Sequence, residues 1–128
     1  MINKMKTFDL NIYQKETYLH IIVKGKNTRE NVKAYLSNIL QECYERKCFR
    51  VLIEEHLEGP RLGTIDVFSI ASQGALNAFG KIKALAYVDV NAEGDLMQFA
   101  ENVAVNRSFP VKVFSSVAEA EKWIMEKV

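Results

Sequence analysis

The run Phe49-Arg-Val-Leu-Ile-Glu-Glu-His56 decides the fold. Phe49, Val51, Leu52 and Ile53 form a nearly continuous apolar stretch, the pattern of a strand buried on both faces of a parallel sheet. The apolarity stops at Glu54, Glu55 and His56, which predicts that the strand leaves the core there. A loop, Leu57 to Gly63, follows with two glycines and a proline. An amphipathic helix then starts near Thr64, with Asp66 in its first turn, where the positive end of the helix dipole favours a carboxylate. Its inner face is Val67, Phe68, Ala71, Ala75, Ala78 and Phe79. A second apolar strand, Ala84 to Val88, closes the unit and again ends on an acid, Asp89.

On the N-terminal side, Phe8, Leu10 and Ile12 alternate with Asp9 and Asn11, which predicts a strand with one wet face. Gln14 to Thr17 is a polar turn, and Tyr18 to Val23 is the return strand, ended by Gly25 and Asn27. Asn27 or Thr28 caps a helix in which Val32, Tyr35, Leu36, Ile39, Leu40 and Cys43 recur at helical spacing to about Arg46. On the C-terminal side, Leu96, Phe99, Ala100 and Val103 describe another helix. Pro110 opens a short strand, Val111 to Phe114. Ser116 and Glu119 then form a capping box for a last helix with an inner face of Val117, Ala120, Trp123 and Ile124.

The order is therefore β-β-α-β-α-β-α-β-α, an α/β fold. Right-handed crossovers between the later strands imply a mixed, mostly parallel sheet with the N-terminal strand added antiparallel. No repeat, linker or low-complexity segment interrupts it, so residues 1–128 read as one domain.

Composition excludes several classes of function. Lys plus Arg number 17 against 16 for Asp plus Glu, which leaves no dominant electrostatic footprint for nucleic acid. No run approaches the length of a membrane span, and Met1 to Tyr13 does not have the apolar core of a signal peptide. Cys43 and Cys48 form neither a disulfide framework nor a zinc site, having no ligand partners at suitable spacing. Both read as small buried hydrophobes in a reducing compartment, which places the protein in the cytoplasm.

Two stretches carry a family resemblance. They are Gly59-Pro-Arg-Leu-Gly-Thr-Ile-Asp-Val-Phe68, and Glu101-Asn-Val-Ala-Val-Asn-Arg107 followed by a short strand and Ala-Glu-Ala-Glu-Lys-Trp-Ile124. With the element order, they make the chain resemble the STAS domain superfamily of sporulation anti-sigma-factor antagonists, in its SpoIIAA-like branch. The resemblance implies a regulatory, protein-binding module. In the sporulation antagonists a serine in the loop after the corresponding strand is phosphorylated to switch binding. Here that loop, Glu54 to Thr64, contains no serine, and Thr64 is the nearest hydroxyl. The architecture is also similar to that of the CRAL-TRIO lipid-binding domains, which implies an apolar ligand as the alternative.

Each candidate residue has a plainer role to set against its functional one. A phosphate on Thr64 would meet the free N–H groups of a helix start, yet threonine there is also an ordinary N-cap worth about 1 kcal/mol. Glu54, Glu55, His56 and Asp89 stand at carboxyl ends of parallel strands, where α/β folds place ligands. Consecutive strand residues point to opposite faces, however, so Glu54, Glu55 and His56 cannot converge on one atom. His20 has no partner nearby in sequence. Arg61 suits a carboxylate or phosphate, or simply solvent. The glycines at 59 and 63 lack the lysine and spacing of a phosphate loop, and no Gly-x-Ser-x-Gly elbow occurs.

The expectation is a non-catalytic module that docks a protein partner through Gly59, Pro60, Arg61, Leu62 and Thr64. No cofactor or metal is implied. The alternative is a small apolar ligand held in a pocket at Val67, Phe68 and Ala71. The sequence leaves the oligomeric state open, with a homodimer among the arrangements it allows.

Overall fold

The computed structural model describes residues 8–60, 62, 63, 66, 69–71, 73, 81–89, 94–106 and 110–127. Five strands, β1 (Phe8–Gln14), β2 (Leu19–Lys26), β3 (Arg50–Glu58), β4 (Ala84–Asp89) and β5 (Val111–Phe114), form one sheet in the order of the chain. The β1–β2 hairpin is antiparallel and every other pairing is parallel. The helices are α1 (Arg29–Arg46), α2 (Gly94–Val105) and α3 (Val117–Glu126). Between β3 and β4, residues 66, 69–71 and 73 also have helical backbone.

The α/β expectation and the antiparallel first strand are borne out. Val51, Leu52 and Ile53 are fully buried, as the continuous run demanded, and Val88 lies beside them in the neighbouring strand. Alternation then sorts side chains to two faces. Leu19, Ile21, Val23, Val51, Ile53 and Leu57 pack beneath Val32, Tyr35, Ile39 and Cys43 of α1, with Ile70 against the same cluster. Leu52, Ala84, Ala86 and Val88 pack on the opposite face against Ala120 and Ile124 of α3. Small side chains in β4 let α3 sit close to the sheet.

Local chemistry fixes the helix ends. Thr28, not Asn27, is the N-cap of α1 and accepts from the Asn31 amide. Lys47 ends that helix in the left-handed conformation at φ 53°, and its N–H satisfies carbonyls of the last turn. Ser116 caps α3 by accepting from the Glu119 amide. Glu101 of α2 accepts the β5 amide of Val113 at 2.7 Å, so a helix side chain covers part of that exposed sheet edge.

Two strand ends differ from the sequence expectation. β2 runs on through Gly25, whose φ of 152° is extended backbone on the mirror side that glycine alone visits readily. β3 does not stop at Glu54 but continues to Glu58, paired with Lys24, Gly25 and Lys26 of the lengthened β2. The three polar residues are therefore strand residues, and the loop begins only at Gly59.

The strand order never reverses, so the described sheet lacks the switch-point crevice in which doubly wound folds hold ligands. What remains at the carboxyl ends of β3 and β4 is a polar cluster under α1 and a loop.

Candidate functional site

Because β3 extends, its alternation carries Glu54 and His56 to one face and Glu55 to the other. The expectation that the three cannot converge holds, and each face acquires its own cluster.

Glu55 continues the inward row Val51, Ile53 and Leu57, and is only 5% exposed beneath α1. The hydroxyls of Tyr35 from α1 and Tyr87 from β4 both donate to Glu55 Oε2. The two hydroxyl oxygens lie 2.5 Å apart. Asp89 stands opposite Glu55 in the β3–β4 register and hydrogen-bonds it. Burial pushes the Glu55 carboxyl up to about 7. The phenol hydrogen bonds work against that rise, and the neighbouring Asp89 adds to it. Burial and the Glu55 charge likewise raise both phenols well above their ordinary range. The cluster can hold or share a proton near neutrality, but its carboxyl is too enclosed for a substrate to meet.

The opposite face carries His20 of β2 with Glu54 and His56 of β3. His20 Nε2 lies 2.9 Å from Glu54 Oε1, and His56 Nε2 lies 2.5 Å from Glu54 Oε2. Burial alone would raise the Glu54 carboxyl, but the bonds and charges of His56 and His20 outweigh it and hold the group below its ordinary value. Each carboxylate oxygen thus receives one imidazole nitrogen. Among the described residues, no group of three or more His, Cys, Asp or Glu is arranged to hold a metal ion. The Tyr13 ring flanks His20 with centroids 6.2 Å apart.

The loop after β3 is exposed at Gly59, Pro60 and Gly63. Gly59 has φ +110°, where any side chain is strained, although the space around it is open. Asn27 holds the loop from behind. Its backbone N–H donates to Glu58 O at 2.7 Å and its side-chain amide to Pro60 O at 3.2 Å. Leu62 is half-buried and packs against the core on the α1 side. Ala71 is half-buried in the helical stretch. Arg61, Thr64, Val67 and Phe68, like Ala75, Ala78 and Phe79, lie outside the described residues.

Sequence reasoning missed Tyr35 and Tyr87 as site residues. Tyr35 has the spacing of a core position, and Tyr87 lies within an apolar run. The parity of 51, 53, 55 and 57 was the available signal, because it places Glu55 on the inward row. A buried acid there requires donors.

Cys43 is buried and Cys48 half-buried, and both are free thiols. Burial, then the nearby Cys48 and Glu42, pushes the Cys43 thiol up to about 12. Among the described residues, no helix is long and apolar enough to cross a membrane.

No family model matches the chain. No curated protein matches it either. Among the solved structures it resembles along nearly the whole length is an uncharacterized protein of the DUF3478 family with a SpoIIAA-like fold from Shewanella loihica PV-4. It is 19% identical, with a TM-score of 0.56, covering 97% of this chain and 98% of that one. At that identity the likeness speaks to architecture. With the five-stranded mixed sheet and its flanking helices, it establishes that this chain has the SpoIIAA-like α/β fold.

Proposed function

We propose that the protein is a non-catalytic regulatory module that binds a protein partner through the loop after β3. Gly59, Pro60, Arg61, Leu62 and Thr64 form the docking surface. The observation that carries this reading is a loop both exposed and held in place: Gly59 and Pro60 face solvent while Asn27 ties Glu58 and Pro60 from behind. A loop already fixed in one shape loses less conformational entropy on binding, so more of its contact energy becomes affinity. The half-buried Leu62 anchors the far side of the loop to the core.

The non-catalytic part of the reading is supported by the two polar clusters. One encloses its carboxyl beneath a helix, and in the other, among the described residues, the two imidazoles share a single carboxylate. Free thiols at Cys43 and Cys48 favour a reducing, cytoplasmic setting.

The test is capture with the intact chain, analysed for proteins and lipids, followed by titration of the purified partner against wild type and Pro60→Ala/Arg61→Ala. The reading requires binding to weaken about tenfold or more, roughly 1.4 kcal/mol. Unchanged affinity in the double variant would move the site elsewhere. Retention of a lipid in place of a protein would favour the apolar-ligand alternative.

A further inference from the structure

Glu55 and Asp89 form the last described rung of the β3–β4 ladder. Beyond it, His56, Leu57 and Glu58 pair with Lys24, Gly25 and Lys26 of β2. Among the described residues, the strand end that carries the loop is secured by β2 and, three residues back, by the Glu55–Asp89 rung. A hydrogen bond between two carboxyl groups needs a proton, and a second charge beside the buried Glu55 is costly. Tyr35 joins this rung to α1, and the residues preceding α1 carry Asn27, whose amide holds the Glu58 carbonyl.

We propose that the Glu55–Asp89 rung is a proton-operated latch that sets how firmly the loop after β3 is held, and so regulates docking. This inference rests on that loop being the docking surface. With one proton shared, the rung is closed, the two phenols are satisfied, and Asn27 keeps Glu58 and Pro60 in place. When the proton leaves to solvent past the half-buried Asp89, two carboxylates face each other in a low-dielectric site. The strand ends then part, and the Asn27 tether weakens.

The described groups around the rung are consistent with this behaviour. From α1, Tyr35 faces Glu55; from β4, Tyr87 and Asp89 do; from β2, the residue opposite is the apolar Val23. In the helical stretch Ile70 and Ala71 are half-buried and Gln73 is exposed, and Asp66 approaches Arg29 of α1 at 3.9 Å. Among the described residues Glu55 forms no ion pair that would hold it ionised. The Glu55 carboxyl, raised to about 7 by burial, gives the latch its working range.

The experiment is amide hydrogen exchange on the full chain by NMR between pH 5.5 and 8, corrected for the intrinsic pH dependence of exchange. The Asn27 amide reports the tether directly, and the Leu52 amide in mid-β3 serves as control. Protection at Asn27 should fall about tenfold across neutrality in the wild type while Leu52 holds. Glu55→Gln should abolish the fall, because its side-chain amide can donate to Asp89 at every pH. Asp89→Asn, which removes the facing carboxylate, should abolish the fall as well, because its side-chain amide can donate to an ionised Glu55 and no second charge repels it. Flat protection in wild type, or the same fall in either variant, would overturn the proposal. Exchange is read on the free protein, so failure of the docking reading would appear only in the partner titration and leave this result standing.

Discussion

Glu55 of β3 and Tyr35 of α1 meet inside the core, a carboxyl and a phenol joined where the sheet's pattern calls for an apolar pair. The consequence is an inverted pH dependence. Glu55 keeps its proton up to about pH 7 in the folded chain, against an ordinary value of 4.5. The native state therefore binds more protons than the unfolded one between those limits. Stability from this group is full below about pH 4.5 and is lost as pH rises to about 7. Glu55→Gln should flatten that slope, leaving the variant at pH 8 more stable relative to wild type than at pH 4.5, by roughly 3 kcal/mol. Urea denaturation of both proteins at the two pH values checks it.

Tyr35→Phe removes one donor to Glu55 Oε2 and leaves the ring. Its hydrogen bond is among the influences that hold the Glu55 carboxyl down, so the variant should titrate at higher pH than wild type. The stability loss should be about 1–2 kcal/mol, as for a buried polar group deprived of one partner. Denaturation and carboxyl NMR on the variant read the two effects separately.

Glu54 titrates in the opposite sense. Its folded-state value is lowered by His56 and His20, so its contribution is present above the ordinary carboxylate value and is lost as pH falls through the folded one. His56→Ala should raise the Glu54 carboxyl in an NMR titration and leave the Glu55 transition in place, since the two lie on opposite faces. Equal movement of both would contradict the separation of the clusters.

The sequence made some of this architecture legible and hid the rest for physical reasons. Periodicity placed Val32, Tyr35, Ile39 and Cys43 on the inner face of α1, and the Ser116–Glu119 capping-box spacing found the Ser116 cap. The end of β3 was misjudged because charge at Glu54, Glu55 and His56 outweighed β-pairing with residues 24–26, a contact that no local pattern encodes. His20 and Glu54 lie 34 positions apart. Only the β2–β3 register brings them together, and register depends on how whole faces pack. The glycine at 59 was legible as a turn, whereas the tether of its neighbours Glu58 and Pro60 to Asn27 was not.

Gly59→Ala tests the loop itself. With φ at +110° and open space around the Cα, the cost should be backbone strain of about 1–3 kcal/mol without a steric clash. Leu62→Ala should lower stability by about 1–2 kcal/mol, less than for a fully buried leucine, because Leu62 is half-buried against the core. Thermal or chemical denaturation measures both.

The thiols differ in the same way as their burial. Cys48 should react with a thiol reagent in the native protein far faster than Cys43, whose thiol is pushed up to about 12 by burial. Mass spectrometry after timed labelling, with no Cys43–Cys48 bond in the untreated protein, is the expected result.

The most direct test of the account is a ¹³C NMR titration of the Glu55 side-chain carboxyl in the intact chain. The enclosed site with its neighbouring Asp89 predicts a midpoint near 7, with Tyr35 and Tyr87 ring signals shifting through the same transition. A midpoint below 5, or ring signals indifferent to it, would contradict the buried proton-sharing cluster on which the regulation of the loop depends.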